Sequence, residues 1–361
     1  MARSRGGYSG YHGRRTLNDT LKVIAAVLAV LVGLLLAGLF FGRKYIVHTD
    51  SGLRLDLPFL RQEEADRPDP GDASVAIQPE GSKSEETMEP QPQPEPETPA
   101  MLAVELPVEA VLDGTAGQKL EEAGGNALVL EMKDQKGKLA WVSQQPVAVS
   151  AGVNSTAAGV QEALTQWNQG DVYTVARVHC FRDDTVPYDR NDMALRATYG
   201  NWRDELGLRR MDPTVSQVQS YLAGLCGELA QLGFDEILLE DCAFPTKGNL
   251  EAIAWRDQAD PAQTMDAFLA QVEEAIAPYG TKLSIQTERA VLTGAEAGSG
   301  LTAASLNQYA QRLWMPQDGV EPALSEVLTT AGITNPDERL VELESSLNRE
   351  NQRNQAVLNQ A

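Results

Sequence analysis

Four short apolar runs in this chain end in side chains that can move protons or hold charge. Asn126-Ala-Leu-Val-Leu-Glu-Met-Lys-Asp134 carries Glu131, Lys133 and Asp134, and Val172 to His179 carries Arg177 and His179. Glu236 to Asp241 ends on adjacent carboxylates, Glu240 and Asp241, before Pro245 and Gly248 break the backbone. Lys282 to Thr287 carries Gln286 and is followed by Glu288. Carboxylates beside Arg and Lys make an acid/base and positioning set. Glu240, Glu288 and Asp134 are the carboxyls that stand as candidates for the chemistry itself. Glu131, Lys133, Arg177, His179, Asp241 and Gln286 would bind substrate, with His179 a hydrogen-bonded rim residue rather than a catalyst. Trp314 ends another apolar run, and Trp202 and Tyr199 lie in a long loop; aromatic faces beside carboxylates suit sugar rings. The same charges read equally as a structural ion-pair layer, and the Trp residues as packing mass.

These side chains need strands to position them. Alternation puts Glu131 with Lys133, Arg177 with His179, Glu240 with Leu238, and Ser284 with Gln286 and Glu288, each set on one face of its strand. By the same alternation Asp241 falls with Ile237 and Leu239. Charged groups at the end of a strand buried on both faces must meet a wet cavity or one another. Between the strands run helical patterns. The most regular has Asp212-Pro213 as its N-terminal signal, an apolar face of Val215, Val218, Leu222, Leu225, Leu229 and Leu232, and Gly233 as its stop. Repeated βα units imply a parallel sheet with helices outside it. Active sites in such folds lie at the C-terminal rim of the strands. No Gly-rich or Walker-type phosphate loop follows the first strand. The fold class expected is α/β, a (β/α) TIM-like barrel. Seven strands are legible: Pro107–Leu112, Asn126–Lys133, Val172–His179, Glu236–Asp241, Lys282–Thr287, Arg312–Met315 and Leu340–Leu343. A hairpin is expected through Lys138–Trp141 and Val147–Ser150. If the barrel has eight strands, one is irregular, unrecognised or absent.

Composition bounds the rest. A formal net charge of -21 argues against a nucleic-acid partner. Val23 to Phe41 is an uncharged apolar run close to the ~20 residues that a helix needs to cross a bilayer. It is longer than the usual apolar core of a cleaved leader, and is expected to be an uncleaved single-pass anchor in the cytoplasmic membrane. Arg3, Arg5, Arg14 and Arg15 keep the tail inside and place the acidic remainder outside. The expected organisation is a basic tail over 1–22, the bilayer helix over 23–41, and a juxtamembrane segment over 42–60 with a short strand ribbon. A Pro/Glu-rich disordered linker over 61–100, a barrel over 101–345 and a polar tail over 346–361 complete it. Three cysteines make a poor disulfide framework. Cys180 and Cys242 end neighbouring strands, so a bridge and three semi-buried thiols both remain open. No Cys/His pattern suggests a metal, and no cofactor is expected.

The stretches Asn126 to Gly137, Val172 to Val178, and Leu232 to Ile237 with Phe244-Pro245 resemble one family. It is the glycoside-hydrolase TIM-barrel domain of bacterial envelope proteins, first filed as a domain of unknown function and distantly similar to α-amylase-type barrels. The likeness covers roughly Leu106 to Pro316. It implies that Glu131, Lys133 and Asp134 match the acid and Lys-Asp of the family's second strand. Ala176, Arg177 and Val178 match its third, and Glu240 the acid ending its fourth. The chain departs from the family at Asp241, where Tyr is usual, at Ala243, where Arg is usual, and at Gln286, where a Ser-Ala-Asp pattern usually ends. If that Asp is catalytic in relatives, Glu288 must substitute for it. The resemblance thus implies hydrolysis of a glycosidic bond, which takes two flanking carboxyls, with Glu240 as nucleophile or general base and Glu288, or failing it Asp134, as the acid partner.

The expectation is therefore a membrane-anchored glycoside hydrolase acting on an envelope or extracellular glycan. A degenerate barrel that binds such a glycan without cleaving it is the alternative. A purely structural envelope scaffold is a third.

Overall fold

The computed structural model describes residues 46–49, 52–55, 99–256 and 259–359. The chain divides into two units, residues 1–91 and 92–361. In the first, Ile46–Thr49 pairs antiparallel with Gly52–Leu55, the short ribbon expected there. Val23 to Phe41 lies outside the described residues, as does nearly all of the Pro/Glu-rich stretch. Among the described residues no helix is long and apolar enough to cross a membrane.

The second unit is built on a closed barrel of eight parallel strands. They are β1 (Leu102–Glu105), β2 (Ala127–Lys133), β3 (Tyr173–His179), β4 (Glu236–Glu240), β5 (Lys282–Gln286), β6 (Arg312–Pro316), β7 (Leu340–Leu343) and β8 (Asn354–Val357). Each pairs with the next in sequence, and β8 closes on β1. The main surrounding helices are α1 (Ala116–Ala123), α2 (Val160–Trp167), α3 (Ser216–Gln231), α4 (Pro261–Ile276), α5 (Ala303–Tyr309) and α6 (Leu324–Thr330). The α3 helix buries Val218, Leu222, Leu225 and Leu229 as its periodicity requires. It starts later than the sequence suggests, because Asp212 spends its carboxylate on a turn, accepting from the Thr214 amide and hydroxyl at 3.0 and 2.7 Å.

Alternation sorts the barrel into an outer apolar sheath and a separate inner cluster. The inner cluster contains Ala103, Val129, Val175, Leu238, Trp314, Val341 and Ala356. A polar floor lies beneath it: Tyr173 donates to Glu236 at 2.8 Å, Arg312 pairs with the same carboxylate, and the Trp314 indole N–H donates to it at 3.2 Å. The layering is that of a packed barrel core rather than a pore. Cys180, Cys226 and Cys242 are buried, free thiols.

The barrel is complete, which corrects the count of seven strands in two places. The first strand is Leu102–Glu105, and the stretch expected to form it contains a helical turn, Glu109–Leu112. The eighth strand lies inside the stretch that reads as a polar tail from residue 346. It escapes notice because its polar side chains serve the seam. Asn354 accepts from the Met101 amide at 2.9 Å and donates to the Glu338 carbonyl at 2.9 Å. Gln355 folds back onto the Asn348 backbone with bonds of 2.8 and 2.9 Å. Among the four strand residues only the small Ala356 joins the inner cluster. The expected hairpin is absent among the described residues; Pro146–Ala151 is a helix, and Leu139 makes a single bridge to Lys133.

Deleting residues 346–361 should open the seam and leave unpaired edges on β7 and β1. Urea unfolding followed by circular dichroism should lose its cooperative transition. A truncated chain that unfolds like the full one would show that β8 is dispensable.

Candidate active site

The C-terminal rim of β1 to β4 gathers one connected set of charges. Strand alternation carries Glu105, Glu131, Arg177, His179 and Glu240 into the barrel mouth. Arg177 is its centre. Its Nε donates to Glu240 at 2.6 Å, and Nη1 lies 3.1 Å from Glu105 and 3.5 Å from Glu131. His179, also buried, places Nε2 at 3.2 Å from Glu131 and 3.7 Å from Glu240. Its Nδ1 lies 2.7 Å from Asp241. Gln286 reaches the other oxygen of Glu240 at 3.3 Å.

Asp241 reaches this set by an unusual backbone. Parity would turn it outward, but its φ of 50° is left-handed, and the turn swings its carboxylate back to His179 and to Arg182 at 2.8 Å. Such a conformation costs a non-glycine residue about 1 kcal/mol or more and persists only when its surroundings enforce it. Arg210 supplies part of that enforcement by donating to the backbone carbonyls of Asp241 and Ala243 at 3.4 and 3.1 Å. Arg182 is held in turn by Asp204 at 2.7 Å.

The expected grouping of Lys133 with Glu131 fails for a local reason. The β2–β3 register shifts between Glu131 and Lys133, so a bulge turns Lys133 to the outer face. There it is wholly buried, 3.0 Å from Asp183, and its ammonium donates to the carbonyls of His179 and Arg182 at 2.8 and 3.3 Å. Gly137 closes over this pair; a Cβ there would come within 2.2 Å of the Asp183 carboxylate. Asp134 is also set apart. One of its oxygens accepts from the backbone amides of Lys136 and Lys138 at 2.9 and 2.8 Å, so it shapes the loop after β2. Trp314 sits in the barrel core and Trp202 is buried in the loop after β3, its N–H donated to the Asn249 carbonyl at 2.8 Å. Neither presents a face to a ligand. Trp255, which no sequence pattern marks, is exposed and packs 5.4 Å from Phe244.

A cavity of about 340 Å³ opens beside Glu240. Its wall includes Asp241, Phe244, Gln286, Thr287 and Glu288. Glu288 is 55% exposed and lies 3.4 Å from Lys247. Three buried atoms on lining residues, Gln286 Oε1, Thr287 Oγ1 and Arg210 Nε, have no protein partner.

The charges bias one another. Burial alone would lower the His179 pKa, but its bonds to Asp241 and Glu131 and the nearby Glu240 charge outweigh that and push it up to about 9. Asp241, whose burial favours the neutral form, is brought down to about 2 by the His179 bond and by Arg210 and Arg182. Glu131 is lowered, chiefly by its hydrogen bond to His179. Burial raises Glu105 despite Arg177. His179, Glu240 and Asp241 offer ligand atoms within 4.8 Å of one another. Arginines already stand against both carboxylates, Arg177 on Glu240 and Arg182 on Asp241.

Glu105, Arg182 and Arg210 are the site residues that sequence reasoning missed. Glu105 was legible only with β1 in its true place; the two arginines come from a loop without strand parity.

Among known proteins, the model of a family described as "putative glycosyl hydrolase domain" matches residues 110–310. The chain belongs to this family. No curated protein matches it. Among solved structures it is similar to the glycoside hydrolase domain of PgaB (BpsB) from Bordetella bronchiseptica, at 12% identity and a TM-score of 0.48, over 68% of this chain and 84% of that one. A hypothetical protein from Ruminiclostridium thermocellum is 23% identical with a TM-score of 0.44, over 50% of this chain and 96% of that one. The glycoside hydrolase domain of a PelA variant from Pseudomonas aeruginosa is 12% identical with a TM-score of 0.40, over 68% and 84% of the two chains.

The raised His179 value gives a pH-dependent stability with a definite sign. The proton is bound more tightly in the folded state. Its contribution is therefore full below the unfolded value of about 6.5 and is lost as pH rises through about 9. The stabilisation at stake is on the order of 3 kcal/mol. Denaturant midpoints should fall across that window in the native chain and stay flatter in His179→Asn. A ring titrating near 6.5 by NMR would contradict the network.

Proposed function

We propose that this member of the glycosyl hydrolase domain family hydrolyses a glycan with Glu240 as nucleophile or general base and Glu288 as its acid partner. The observation that carries this reading is the cavity itself: Glu240 and Glu288 line the same space, together with Gln286, Thr287 and Arg210. Asp241 and Glu131 are poor proton donors at neutral pH, because their partners hold both below the usual carboxylate range. Their role is electrostatic: with Arg177 and His179 they fix Glu240 in one orientation. Glu288 is half exposed and borders the same cavity as Glu240, which is where a group acting on the bound glycan must stand. Asp134 does not compete, since its carboxylate is engaged in its own loop. The excess of carboxylates over cations disfavours uronic-acid polymers and suits neutral or amine-bearing sugars.

We infer the setting of this chemistry from the sequence. The uncharged run Val23 to Phe41 supports a single-pass anchor in the cytoplasmic membrane, and the basic tail supports an N-terminus inside. The substrate would then be an envelope or extracellular glycan. Protease added to intact cells should remove the barrel and spare the tail; protection of the barrel would reverse the orientation.

Gln286 favours a second reading, a barrel that binds glycan without cleaving it, since its amide occupies one oxygen of Glu240. Replacing Glu240 with Gln separates the two. In the hydrolase, Glu240→Gln should lower turnover by ~10²–10⁴-fold while leaving a folded protein. Turnover equal to the native chain would remove Glu240 from the chemistry. A native chain that binds glycans and hydrolyses none would establish the binding module.

A further inference from the structure

We propose that the barrel mouth holds an extended glycan with arms on both sides of Glu240, so that bonds inside a polymer are cut rather than those at its end. The proposal rests on the hydrolase reading above and concerns how much of the substrate the site grips.

A second cavity, of about 410 Å³, opens over the ends of β1 and β2. Leu106, Val108 and Ala140 give it apolar wall, and Glu109, Glu131 and Asp134 give it polar wall. That mixture matches a sugar ring, whose faces are apolar and whose edge is hydroxylated. Each cavity contributes one carboxylate to the same pair of buried cations, Arg177 and His179. Glu131 lines the second and is 32% exposed, while Glu240 lines the first and is 16% exposed. Their carboxylates stand 3.2 and 3.7 Å from one nitrogen, His179 Nε2. Those two contacts keep the two oxygens within about 7 Å of each other, so the cavities open side by side on the rim. A chain lying across the mouth would pass from one cavity to the other directly over Arg177 and His179. Beyond the first cavity, the exposed Trp255 packs on the lining residue Phe244 and offers a stacking face for a further unit. A site built to trim ends would be walled off on one side of Glu240, and this one has a second cavity on its Glu131 side.

In the reaction, water supplies its hydroxyl to the anomeric carbon as the glycosidic C–O bond breaks. Its proton, by way of the acid partner, ends on the oxygen of the departing sugar. The departing piece lies in one arm and the newly formed reducing end in the other.

The test uses the full chain and end-labelled oligosaccharide ladders, from monomer to octamer, of glucose, N-acetylglucosamine and glucosamine. Affinity in the Glu240→Gln protein, read by tryptophan fluorescence, should rise with length past the trimer. Products of the native chain should be intermediate lengths from the first time points. Glu109→Trp plugs the second cavity, and Lys138→Trp does so from another lining position. Either should lower octamer cleavage about tenfold more than cleavage of a short aryl glycoside. Release of single sugars alone, or affinity indifferent to length in every ladder, would overturn the proposal. If the native chain cleaves nothing yet binds long ladders best, and the plugs flatten that preference, the two-armed cleft stands and only the hydrolase reading falls.

Discussion

Burying the Arg177 guanidinium inside a parallel barrel would cost several kcal/mol without counter-charge, and carboxylates from three other strands supply it. Glu105 comes from β1, Glu131 from β2 and Glu240 from β4. The compensation works in both directions. Each carboxylate is costly where it stands, and the arginine makes its position tolerable. This one cation therefore ties together the side chains around half of the rim. A planar guanidinium suits the task because its donors point along fixed axes, and a lysine would offer charge without that geometry.

The barrel thus has an apolar middle between two ionic layers of different character. At the floor, Glu236, Arg312 and Tyr173 close on one another around Trp314, and none of them lines the cavity beside Glu240. At the mouth, the same kinds of residue border open space, and buried polar atoms there lack partners. Satisfied polar groups rigidify a scaffold, whereas polar side chains that border a cavity can meet a ligand. The contrast between the two ends separates scaffold from site more clearly than residue type does.

Much of this was legible from residues alone, and the exceptions have physical causes. Glu131, Arg177 and Glu240 are placed by plain alternation, which holds wherever strand pairing is regular. Lys133 departs because one bulged residue reverses every direction after it. Asp241 departs because its backbone leaves the strand through a left-handed turn that parity cannot describe. The eighth strand is invisible because Asn354 and Gln355 bond to backbone instead of packing in a core, so no hydrophobic pattern marks it. Trp314 was legible as an aromatic at a strand end, but its depth in the barrel depends on register with β5 and β7, which one strand's sequence does not contain.

The turn at Asp241 also has a meaning for how this position can vary. Asparagine and glycine accept a left-handed backbone more readily than other residues, and a β-branched or bulky side chain resists it. Shape and charge can therefore be inherited separately here. A descendant with asparagine in place of Asp241 would keep the path of the loop and the packing of Cys242, yet leave His179 and Arg182 without their anion. Drift at this position would change the electrical character of the mouth long before it changed the fold.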